Sequence, residues 1–66
     1  MLPHQERVVA EKEELDAKLF KLVQFKSTET FAKLPQIEQE RLIVQAQVMK
    51  LYSDILRTRI NAFNDA

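Results

Sequence analysis

Apolar side chains recur every seven residues in two stretches of this chain, a period that leaves few choices of fold. Val8, Leu15 and Leu22 form one series, and Leu42, Met49, Leu56 and Phe63 form the other. A seven-residue repeat keeps one stripe of a helix facing a partner helix. Between the two series lies Ser27-Thr28-Glu29-Thr30, whose side chains compete for backbone hydrogen bonds and favour caps and turns. The pattern predicts an all-α chain: an antiparallel two-helix hairpin that assembles into a homo-oligomeric helical bundle. Its single domain spans 1–66, with a helix over 3–26, a connection over 27–34 and a helix over 35–63.

The limits of these segments follow from local chemistry. Pro3 and Pro35 suit helix starts, where a missing N–H costs nothing. Glu38 and Glu40 follow Pro35 at the positive end of the second helix. Phe31 and Leu34, three apart, suit one helical turn that plugs the end of the hairpin, and residues 64–66 should fray. Facing residues of an antiparallel pair have numbers with a constant sum. Val8 with Leu56, Leu15 with Met49 and Leu22 with Leu42 all satisfy this at 64, with Leu19 and Ile60 flanking.

A hairpin seam needs only a narrow stripe, yet at 100° per residue the second helix is apolar over roughly 220°. Ile37, Val44, Val48, Leu51 and Ile55 lie outside the seam, and the first helix adds Val9, Phe20 and Val23. Such a surface marks an association site, and burying each side chain is worth about 1.5–3 kcal/mol. The chain has 66 residues and no cysteine, so neither a large core nor disulfides can offset chain entropy. Association with its own copies, as a dimer or a larger ring, is the expected remedy.

Composition also limits function. Ten basic and ten acidic residues give no net charge, so no long-range field draws the chain to nucleic acid or anionic lipid. No apolar run is long enough for a membrane span and no secretory start is present, so the expected location is the cytoplasm. Glycine is absent, which removes phosphate-cradling loops of the P-loop and dinucleotide kinds. Ser53 has no base in view for nucleophilic catalysis. A non-enzymatic protein without cofactor or metal is expected.

Several polar residues fall within the broad apolar arc. Arg41, Gln45, Tyr52 and Arg59 form a row on the second helix, while Lys12 and Asp16 flank Val9 and Phe20 on the first. One reading is a register-fixing network in which Asp16 meets Arg59 or Arg41 of a neighbour. Another is a pocket at a subunit junction, where two arginines and a tyrosine meet an anionic or planar ligand. A third is snorkelling at the rim of the interface. His4, the sole histidine, projects toward the core side near Glu11. No second histidine at metal-ligand spacing accompanies it, so packing or capping is its expected role. Glu11, Glu13, Glu14 and Asp16 read as a solvated face among lysines, as do Arg7, Lys18 and Lys21.

The run from Pro3 to Asp16 resembles a family of short helical phage and prophage proteins, mostly uncharacterised, that are labelled as related to a crAss-like phage protein. Phe31, Leu34-Pro35, Gln39-Glu40-Arg41-Leu42, Gln45, Met49, Tyr52-Ser53, Ile55-Leu56, Arg59-Ile60 and Phe63 continue the likeness in order. Lys26-Ser27-Thr28 departs from it, where an apolar residue and often glycine is expected. The resemblance implies a viral accessory protein in a bacterial cytoplasm, acting by stoichiometric binding in host takeover or counter-defence. Its partner beyond itself would be a host bacterial protein or a small anionic ligand, including a nucleotide-type signal held by an oligomeric sponge. A small RNA- or DNA-binding bundle is the remaining alternative.

Overall fold

The computed structural model describes residues 1–63, so the expected fraying at residues 64–66 lies outside the described part. Among the described residues the chain is all-α. It consists of α1 (Pro3–Phe25), the single-turn α2 (Glu29–Ala32) and α3 (Gln36–Ala62).

Each boundary has a local cause. Pro3 occupies the first turn of α1, and the side chain of Gln5 accepts from the Leu2 N–H at 3.0 Å, which ties down an otherwise unpartnered donor. At the far end the Ser27 N–H donates to the Gln24 carbonyl at 3.1 Å and the Thr28 N–H to that of Phe25 at 3.0 Å. Thr28 then turns extended and caps α2, its Oγ1 accepting from the Phe31 N–H at 3.2 Å and donating to the Phe25 carbonyl at 2.7 Å. Leu34 precedes a proline, a position that disfavours helical backbone, and α2 stops before it. Pro35 itself stands just outside α3 as its N-cap residue, with extended ψ. No described residue has positive φ, so a glycine-free chain makes both breaks with a threonine and a proline.

The connection is braced from α3. Gln39 Nε2 donates to the carbonyls of Leu34 at 3.0 Å and Ala32 at 3.2 Å. Phe31 is buried and meets Phe25 edge-on, with ring centroids 5.9 Å apart. The aromatic pair closes the connected end of the molecule against water.

The start of α1 meets the end of α3. Val8, Leu15 and Leu56 form the buried cluster, with Met49, Ile60 and Phe63 packed against it. Leu56 is 0% exposed and is the most deeply buried large side chain. Leu22 and Leu42, expected as a third layer, are only half-buried. His4 is exposed at the start of α1, which corrects its expected place on the core side. The molecule is a slender rod of 48 × 14 × 14 Å. Two parallel cylinders of helix about 10–12 Å wide have little interior to offer, so the core is a single line of side chains.

Candidate functional site

The opposite face of α3 is apolar and open to water. Ile37, Val44, Val48, Leu51 and Ile55 are each between 55% and 64% exposed. On α1, Phe20 and Val23 are exposed too, whereas Val9 is half-buried. Val23 and Leu51 border an open groove of about 560 Å³ with Leu19, Ala46, Gln47, Lys26 and Lys50, beside the α1–α3 contact. Leu51 thus stands where the exposed stripe of α3 meets this groove.

The six polar residues singled out in the sequence do not gather in one place. Lys12 and Asp16 pair with each other at 2.6 Å, one helical turn apart. Asp16 also accepts from the hydroxyl of Ser53, the buried polar residue of α3, and this hydrogen bond joins the two long helices. The ammonium of Lys12 first, and the Ser53 hydroxyl second, hold the Asp16 carboxyl below its usual value. Within one chain, then, the partners of Asp16 are Lys12 and Ser53. The carboxylate's two oxygens are already engaged, by Lys12 and by Ser53.

Beside this contact, Lys50 pairs with Asp54 at 2.7 Å, and its ammonium lowers the Asp54 pKa. The Ser53 contact is one that sequence reasoning passed over. Its signal was the spacing Ala46, Ser53, Ile60, which places the serine on the same seven-residue series as the buried Ala46 and the half-buried Ile60.

Arg41, Gln45, Tyr52 and Arg59 remain together as an exposed row along α3. Arg41 makes a 3.5 Å ion pair with Glu38, and Gln45 Nε2 approaches Met49 Sδ at 3.9 Å. None of the four lines the 560 Å³ groove. The row offers two guanidinium groups, an amide and a phenol over one open surface, donors suited to an anion or a planar polar ring.

Among the described residues no buried side-chain polar atom lacks a partner, and no three His, Cys, Asp or Glu side chains converge as metal ligands. No described helix is long and apolar enough to cross a membrane.

The pattern of the Sequestin family matches residues 2–62, nearly the whole chain. This chain belongs to the Sequestin family. No curated protein and no solved structure gives a significant match. The match takes in both long helices, and with them the exposed α3 stripe and the polar row.

Proposed function

We propose that this Sequestin-family chain is a non-enzymatic binding protein. It works stoichiometrically as a homo-oligomer of antiparallel helical hairpins, holding an anionic, nucleotide-type ligand where subunits meet. One observation carries the reading: the outward face of α3 combines an apolar stripe with a row of four polar side chains, Arg41, Gln45, Tyr52 and Arg59. The stripe calls for a covering protein surface; Gln45, Tyr52 and Arg59 would then lie at the edge of the covered area, with Arg41 just inside it. Arginine suits planar or phosphate anions because its guanidinium is always charged and presents several donors in one plane. The family's name is compatible with sequestering.

The resemblance to short phage proteins suggests the setting, a phage or prophage product made in a bacterial cytoplasm to counter host defence. Lys12 is left out of the proposed site because Asp16 already holds it. A second reading, in which the assembled oligomer binds a host protein, draws on the same exposed stripe.

Thermal denaturation against a panel of nucleotides at millimolar concentration tests the proposal. A ligand present at 100 times its Kd adds about 2.7 kcal/mol, which raises the melting temperature by several degrees. Arg59→Ala should abolish that rise in protein that circular dichroism shows to be still helical. A panel that gives no shift with the folded protein overturns the nucleotide reading.

A further inference from the structure

The exposed face of α3 is a second complete seam, and its register identifies what covers it. Ile37, Arg41, Val44, Val48, Leu51, Ile55, Thr58 and Ala62 follow alternating steps of four and three residues without a break, and all are exposed. This is the a/d spacing of a coiled coil. At 100° per residue it lies roughly 150° around α3 from the stripe that packs on α1. A helix with two opposed seams is built to sit between two neighbours.

We infer that the second neighbour is α3 of another copy, crossing antiparallel about a two-fold axis between Met49 and Lys50. This rests on the self-association proposed above and adds its orientation and register. In that register the numbers of facing residues add to 99, and all eight seam positions find partners. Val48 meets the partner's Leu51, Val44 the partner's Ile55, Ile37 the partner's Ala62, and Arg41 the partner's Thr58. A two-fold interface is self-complementary in this way, since each contact occurs twice.

Charge supports the same arrangement. Along one edge Glu38 falls beside the partner's Arg59, and Gln45 beside the partner's Tyr52. Along the other, Glu40 faces the partner's Asn61 and Gln47 the partner's Asp54, so no like charges oppose. The parallel alternative would stack Arg41 on the partner's Arg41 inside the seam, an uncompensated charge pair. Thr58 fits an apolar seam because its hydroxyl already donates to the Ile55 carbonyl at 2.7 Å and leaves its methyl to pack.

Area agrees. A compact monomer of 7.8 kDa exposes roughly 4,400 Å², whereas this chain exposes 5159 Å². The excess of roughly 800 Å² is about what one partner buries in a standard interface. The dyad also brings two copies of Gln45 and Tyr52 onto one edge, so the proposed ligand site is incomplete in a single chain.

The chain has no cysteine, which permits a clean cross-linking test. Val44→Cys and Ile55→Cys are made separately, checked for helicity by circular dichroism, and oxidised alone and as a mixture. The mixture should give a disulfide-linked dimer in at least tenfold excess over either variant alone. In the inferred register identical positions at residue 44 stand roughly 16 Å apart along the axis, out of disulfide reach. A Val48→Cys/Leu51→Cys double variant, which should link on its own, serves if either single variant fails to fold.

Sedimentation of the wild type accompanies the test. A dimer whose variants link alone, or do not link in any combination, overturns the antiparallel register while the self-association reading stands. A wild type that is monomeric at every concentration overturns that reading and this inference together.

Discussion

The two faces of α3 carry similar side chains and meet different fates. One presents Ala46, Met49, Leu56 and Ile60 to α1, and Leu56 there is wholly removed from water. The other presents Val44, Val48, Leu51 and Ile55, each more than half exposed. Nothing in residue type separates the sets, since both are aliphatic and repeat every seven residues. The difference is supply. One chain provides one neighbouring helix, and a helix covers only part of the circumference of another. Stability of the fold and the proposed association of copies therefore divide between opposite sides of one helix, which allows each to be perturbed separately.

The largest effect should come from the buried side. Leu56→Ala leaves a cavity where no solvent reaches, and losses of about 2–5 kcal/mol are typical of such changes. Chemical denaturation should show a destabilised or unfolded protein at every concentration. If Leu56→Ala proves no worse than an exposed-face substitution, the contrast between the faces fails.

On the open side, Leu51→Glu or Val44→Glu places a charge in the proposed interface. Sedimentation should show dissociation, with unfolding only to the extent that the single chain depends on association. The wild-type melting temperature should rise with protein concentration, and that of the variant should not, because association stabilises by mass action. A variant that sediments as an unchanged, folded assembly would remove this face from the interface.

A smaller effect belongs to the polar contact between the long helices. Ser53→Ala removes the hydroxyl that Asp16 accepts from, at about 1 kcal/mol, the usual net worth of one such hydrogen bond. Equilibrium denaturation should show that loss without any change in sedimentation.

The smallest expected effect is a pH dependence. The folded-state pKa of Asp16 is lowered, chiefly by Lys12 and then by Ser53, so its contribution is fully present above the ordinary value of 3.8. It is lost as pH falls through the lowered folded value, when the carboxyl takes up a proton. Because the side chain is 42% exposed, solvent screens the pair and a few tenths of a kcal/mol is the scale. Asp16→Asn should flatten the acid limb of a stability–pH curve by that amount. An unaltered limb would show that the contact has no role in acid sensitivity.

Much of this was legible before any coordinates. Thr28, Pro35 and the seven-residue apolar series are local or periodic signals, and backbone propensity and side-chain period act on them without reference to the rest of the chain. The excess of apolar circumference on α3 was readable for the same reason, as was the grouping of Arg41, Gln45, Tyr52 and Arg59. What periodicity could not supply was the choice of partner for each polar group. Asp16 had a neighbouring arginine as its expected mate. In the structure it lies between Lys12, one turn away, and Ser53, thirty-seven residues on. His4 faced inward by angle alone, yet it is exposed.

Helical period by itself determined which side of each long helix is apolar and where the helices must break, since these depend on angles and caps that every residue carries with it. Only the tertiary structure decided which apolar stripe is buried and which polar pairs close. Those outcomes depend on how far along its neighbour each helix is placed. That offset is set by the length of the connection and by the packing of Phe25, Phe31 and Leu56 together with their surroundings.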